Sequence, residues 1–332
     1  MGQRAPRRRG TKRAALLAVT MTASLAVGCT AHQGGSVDDG RGRTPGQSPA
    51  QSPSASGSTA PAAGPVLAVK IDNVPAARPQ TGLDAADIVY AEQVEGGLSR
   101  LMAVFATKFP QSVGPVRSAR VSDLDLLRQF NEPTLAFSGA QRKLLPLIDK
   151  APLRSASPDE EGRAYYRGGD KPAPHNLYLH PKQLMPSAPG AAALTTGFVY
   201  GTAPAGGKPT ASRTVRYPSA RFTFTWSADK HRWLVTEDGT ATVTTDGKRL
   251  APATVVVQYV KIRKSAYHDV LGNNTPYTVT VGSGKADVLR DGRTYSADWK
   301  RQKATDGTRF TTPDGKPMNF AKGQVWVIFA KS

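Results

Sequence analysis

One cysteine in 332 residues, at position 29, sets the first limit on how this chain can fold. No disulfide can staple any part of it, so whatever folds must be held by its hydrophobic cores.

The residues around Cys29 have the order of an export signal. Arg4, Arg7, Arg8, Arg9, Lys12 and Arg13 form a basic head, residues 14–27 are apolar but too few to span a bilayer permanently, and Gly28-Cys29 closes the stretch. Residues 1–29 are therefore expected to be a lipoprotein signal peptide. Leu25-Ala26-Val27-Gly28-Cys29 resembles a lipobox, in which the cysteine sulfur receives a diacylglyceryl group and further acylation such as palmitate. Residues 30–64 are rich in Gly, Ser, Pro, Ala and Gln and contain no aromatic side chain. Such a segment cannot offset the entropy of ordering itself, so it reads as a disordered tether with a reach of roughly 30 to 35 Å.

The densest signals lie between Ala68 and Asp123. Leu67 to Ile71 is a short apolar strand candidate, ended by Asp72-Asn73-Val74-Pro75. Val89 to Val94 and Leu98 to Ala106 are strand-like runs on either side of Gly96-Gly97, a pair suited to a two-residue hairpin loop with positive φ at both positions. In that geometry Glu95 and Arg100 pair across the strands. Further on, Ser122 is placed to cap a helix over Asp123 to Phe130, with Arg117 and Arg120 beside its first turn. Amides at a helix start and two guanidinium forks suit a phosphate or carboxylate, or else the arginines pair internally with Glu92, Glu95 or Asp87.

Three strings carry a resemblance: IDN-x5-RPQ-x-GL-x3-ADIVY, VEGG-x-SR-x3-VF and VGPVRSAR. With Ala173-Pro174-His175-Asn176-Leu177-Tyr178, VVVQYV, VGSGKA and DGRTYSADWKR they make residues 65–330 similar to the YerB-type bacterial lipoproteins, a two-domain family of unknown function. The resemblance implies no activity. It does direct attention to Arg78, which lies in the RPQ string, and to His175 and Asn176.

After the hairpin, Thr134 to Ser138 reads as a buried strand and Gln141 to Lys150 as a helix interrupted at Pro146. Arg154 to Tyr178 reads as a long polar loop. From Thr210 onward, short β-branched and aromatic runs recur between Asp-Gly and Asn turns. The expected fold is α+β: an N-terminal α/β domain with a mixed sheet over 65–190, a linker over 191–209 and a β-rich C-terminal domain over 210–332.

The formal charge is +19, of which residues 1–43, with eight basic and two acidic side chains, hold +6 and the remainder +13. Outside a cell that excess favours anionic wall polymers or lipid headgroups over nucleic acid. The preferred reading is a lipid-anchored, extracytoplasmic binding or scaffold protein of the cell envelope, not an enzyme. Its anion-accepting cleft draws on Arg78, Arg100, Arg117, Arg120, His175 and Asn176, and its partner is a wall polymer or an envelope protein. The alternative is a wall-polymer hydrolase or transferase in which Glu92 or Glu95 acts as acid or base with His175 as proton partner. No cofactor or metal is expected. Replacing Cys29 by serine should leave an exported but soluble protein, because thioether lipidation requires that sulfur. Detergent-phase partitioning checks this, and a mutant still sedimenting with membranes in high salt would exclude the acyl anchor.

Overall fold

The computed structural model describes residues 64–269 and 271–332. Cys29, the expected signal peptide and all but the last residue of the expected tether lie outside the described residues. Five strands come from the first part of the chain: β1 (Leu67–Asp72), β2 (Ile88–Gln93), β3 (Ser99–Phe105), β4 (Thr134–Ala136) and β5 (Arg154–Ala156). β2 and β3 form the expected antiparallel hairpin, and β1 adds to the other edge of β3, also antiparallel. β4 and β5 then extend the sheet in parallel.

The other edge of β2 is not free. The strand Val325–Lys331 lies parallel to it, pairing Val325 with Ile88 through Ile328 with Ala91, and on its far side runs parallel to Thr254–Val260. Gly282–Arg290, Arg293–Arg301 and Arg309–Thr311 continue outward, with Lys208–Pro209 beside Arg293–Arg301, to complete an 11-stranded mixed sheet. The two segments of the chain therefore share one sheet.

Side-chain alternation explains why the central strands read as continuous apolar runs: both of their faces are covered. Leu67, Val69, Ile71, Trp326 and Ile328 enter one core, while Val66, Ala68, Val325, Val327 and Phe329 enter the other. The first core is completed by a four-stranded antiparallel sheet spanning residues 212–241, whose Phe222 and Phe224 meet the Trp326 ring edge-on. The second is closed in part by α1 (Val121–Leu127), through Leu126, Leu127 and the following Phe130.

Several elements differ from expectation. The two domains are β-rich, and the helices of the N-terminal segment are short: seven residues in α1, five in Leu145–Asp149 and four in Pro181–Leu184. Pro146 does not interrupt its helix but sits in its first turn, a place where the missing N–H costs nothing. Residues 154–178 contain β5 and one strand of a small hairpin, Tyr165–Arg167 against Leu177–Leu179; three-residue strands are too short for alternation to reveal. α1 starts at Val121, with Arg120 as its cap and Asp123 as the residue whose carboxylate accepts the Arg120 amide at 2.7 Å. The Ser122 hydroxyl instead accepts the amide of Thr278, at 2.9 Å.

The hairpin connection also departs from the two-residue turn. Its last pair is Gln93 with Ser99, so five residues make the loop. Gly96 and Gly97 do take positive φ, 65° and 70°. A Cβ on Gly97 would stand 2.5 Å from Cβ of Pro218, whereas one on Gly96 meets nothing within 4 Å. Both changes to alanine cost about 1 kcal/mol for the left-handed backbone. Gly97→Ala should cost about 1 to 3 kcal/mol more because the second sheet must yield. Chemical denaturation of the two variants checks this; equal losses would show that the approach of Pro218 is soft.

Candidate functional site

At one end of β1, β2 and β3, on the α1 face, the sheet carries charges where it should carry leucines. Asp72, Arg100 and Glu92 are Cα partners in one row across the three strands, with Lys70 two residues back along β1. The segment after β3 adds Arg117, Arg120 and Asp123, the five-residue hairpin loop adds Glu95, and the loop before Leu177 adds His175. Four of these groups, Lys70, Asp72, Glu92 and Asp123, are at most 5% exposed, so each needs a partner.

The pairing is uneven. Lys70 takes two carboxylates, Glu92 and, at 2.7 Å, Asp123. Arg120 binds Glu95 with both arms of its fork, at 2.6 and 2.8 Å, and the Thr275 hydroxyl donates to the same carboxylate. Asp72 is shared by Arg117, at 3.1 Å, and Nδ1 of His175, at 2.8 Å. Four carboxylates are thus consumed by three basic side chains and the histidine. Arg100, which faces both Asp72 and Glu92 in the ladder, has no carboxylate partner among the described residues and donates only to the Ser118 carbonyl, at 3.1 Å.

The electrostatics follow from this. Burial raises the Glu92 carboxyl to about 7, against the attraction of Lys70 and with help from the negative Asp123. Burial also pushes Glu95 upward, but the Arg120 fork and the Thr275 hydroxyl outweigh it and hold the group below its usual range. Burial, followed by repulsion from Arg120, lowers Arg100 to about 10, which leaves it charged at neutral pH.

Arg100 opens into a cavity of about 610 Å³. Arg117, Arg120 and Arg142 also line it, against two carboxylates, Glu95 and Asp269. A larger cavity of about 950 Å³ lies in the C-terminal segment, but its Arg213 is already bound to Asp287, at 2.7 Å, and to the Tyr259 hydroxyl. Among the described residues no group of three His, Cys, Asp or Glu is placed to hold a metal.

The structure brings Arg100, Arg117, Arg120 and Glu95 to one cavity and places Arg78, Glu92, His175 and Asn176 outside its lining. His175 meets Asp72 rather than Glu92 or Glu95, so the acid, base and proton-partner arrangement is not assembled. Arg78 binds the Asn73 carbonyl, at 2.7 Å, and Asp238, at 2.8 Å, tying the turn after β1 to the second sheet. Asn176 pins its own loop through Arg167, at 2.8 Å, and the Gly168 carbonyl, at 3.0 Å. The expected Glu95–Arg100 cross-strand pair is replaced by Glu95–Arg120, because the longer loop carries Glu95 out of the ladder. Sequence reasoning missed Lys70, Asp123 and Arg142. A lysine inside the apolar run Leu67–Ile71 was the available signal for the first, since nothing charged belongs there without a partner.

The raised Glu92 pKa has a definite sign. Between about 4.5 and 7 the folded protein holds this proton more tightly than the unfolded chain does, so stability from this group is complete below about 4.5 and is lost as pH rises to about 7. Glu92→Gln should flatten that part of the stability profile. Thermal melts from pH 4.5 to 7.5 check it, and an unchanged slope in the variant would assign the dependence to other groups.

Comparison with known proteins agrees with this architecture. Residues 53–193 match the N-terminal domain, and residues 213–327 the C-terminal domain, of a family described as protein of unknown function (DUF3048). The chain is 27% identical over 270 residues to "Putative lipoprotein YerB" of Bacillus subtilis (strain 168), covering 79% of this chain and 80% of that one. Its fold is similar to the crystal structure of YerB protein from Bacillus subtilis, with a TM-score of 0.67 at 20% identity over 81% of this chain and 91% of that one. The chain belongs to the two-domain DUF3048 family of YerB-type lipoproteins.

Proposed function

We propose that this chain is an extracytoplasmic lipoprotein, anchored through an acylated Cys29, whose folded part binds an anionic ligand of the cell envelope without transforming it. The observation that carries the reading is Arg100: a charged guanidinium facing a cavity, left over when the four carboxylates of the sheet patch, Asp72, Glu92, Glu95 and Asp123, are paired with other groups. A cation that no carboxylate of the patch engages directly is available for an external anion, and a guanidinium fork matches a phosphate or carboxylate. The anchor reading is supported by the Cys29 signal in the sequence and by the lipoprotein name of the relative. A wall polymer bearing phosphates or carboxylates, or an acidic segment of an envelope protein, fits the site; nucleic acid does not fit an exported chain.

The non-catalytic reading rests on the carboxylates. Glu92 is locked to Lys70, Glu95 is locked to Arg120, and His175 is turned to Asp72. None of these three groups is free to transfer a proton in the cavity.

Two substitutions separate a ligand-binding arginine from a structural one. Arg100→Gln leaves no carboxylate bare and should change stability by less than about 1 kcal/mol while weakening binding of a phosphate-bearing wall fragment about tenfold or more. Arg120→Gln strands the buried Glu95 and should cost about 3 to 5 kcal/mol. Calorimetric titration with thermal melts checks both. If no anion stabilises the wild-type protein by mass action, or Arg100→Gln is as damaging as Arg120→Gln, Arg100 is part of the scaffold and the reading fails.

A further inference from the structure

Arginines line only part of the cavity around Arg100. Val94, Leu98, Leu144, Tyr267 and Leu271 supply an apolar wall, and Leu271 is 82% exposed. A small hydrated anion would satisfy the guanidinium and leave that wall wet. A ligand with an anionic head and an apolar body would satisfy both.

The surface outside the cavity carries the same signal. Among the described residues six large apolar side chains are notably exposed, and three of them, Leu145, Leu147 and Leu271, sit on two of the elements that contribute to this wall. Leu145 and Leu147 belong to the short helix next to the lining residue Leu144, and Leu271 lies in the tip of the hairpin Ile262–His268 and Asn274–Thr278. The hairpin is held over the cavity by polar contacts from one of its strands. Thr275 donates to Glu95, Tyr277 donates to Asp125, and the Thr278 amide donates to Ser122. Lys261, Arg263 and Lys264 at its base are exposed, so cationic charge and an apolar tip occur on one projection. Exposed leucines gathered on elements that also wall the cavity suit an apolar ligand there, because a soluble surface otherwise scatters them singly.

We propose that the cavity takes a phosphate-headed amphiphile. Arg100 holds the head, with Arg142 nearby, and the chain runs along Leu98, Leu144 and Leu271 towards solvent. The inference rests on the reading of Arg100 as an anion site and adds the ligand class. The phosphate could reach the site as part of a lipid or as a free ion, and the experiment separates the two.

The test uses the full chain carrying Cys29→Ser, titrated by calorimetry with inorganic phosphate, decyl phosphate and decyl maltoside, each below its micelle concentration. Decyl phosphate should bind about 30-fold or more tightly than inorganic phosphate, and decyl maltoside should not bind. Leu271→Asp, at a position open enough to tolerate the change, should remove most of the decyl advantage and leave inorganic phosphate unaffected. Arg100→Gln should weaken both phosphates about tenfold. Equal affinity for inorganic and decyl phosphate would overturn the amphiphile while leaving the anion site intact. No binding of either phosphate would overturn both. Tight decyl phosphate binding that survives Leu271→Asp and Arg100→Gln would place the amphiphile at another surface and end the proposal.

Discussion

A fully buried ammonium, Lys70, holds two carboxylates and through them joins three elements: β1, which carries it, β2, which supplies Glu92, and α1, which supplies Asp123. Removing Lys70 would leave two buried carboxylates without their partner in a water-poor interior, a cost of several kcal/mol, so the elements are bound to a single relative placement. Asp123 extends the constraint, since its other oxygen accepts the Arg120 amide and thereby fixes the cap of α1. The position of Arg120 in turn determines where Glu95 is held, and Glu95 anchors the overhanging hairpin through Thr275.

The uncommitted state of Arg100 is a by-product of this arrangement. Cations and carboxylates in the patch are matched in number, yet Lys70 takes two carboxylates and Asp72 is divided between Arg117 and His175. What makes a site here is therefore an imbalance of pairing, not an excess of charge. The formal charge of the whole chain is a poor guide to it. Arg301, one of its basic side chains, is 1% exposed and spends its donors on the carbonyls of Asp125, Ala304 and Asp306 and on the Thr280 hydroxyl.

Much of the fold was readable where elements are long and locally determined. The β2–β3 hairpin follows from alternation and a glycine pair, and the strands after residue 212 follow from β-branched runs; their turns at Asp238-Gly239 and Asp291-Gly292 take the left-handed backbone that such pairs favour. The single shared sheet was not readable, because it depends on Val325–Lys331 finding β2 more than two hundred residues earlier, and local pattern carries no information about such a partner. Of the candidate site, the arginines around residues 100–120 were visible as a cluster. Which of them were spoken for was not, since that depends on Lys70, Asp72 and Asp123, residues whose one-dimensional setting is an apolar strand, a turn and a helix start.

The parallel seam also bears on when the molecule can take shape. Val325–Lys331 fills the slot between β2 and Thr254–Val260, so until those residues arrive both neighbouring strands present bare backbone edges and an unfinished pair of cores. A chain delivered from its amino end cannot close this sheet until Val325–Lys331 has followed β2 by more than two hundred residues, and so long a sequence separation makes closure slow. A seam of this kind suits any polypeptide that must cross a narrow channel unfolded, because closure waits for a strand far along the chain from the edges it covers.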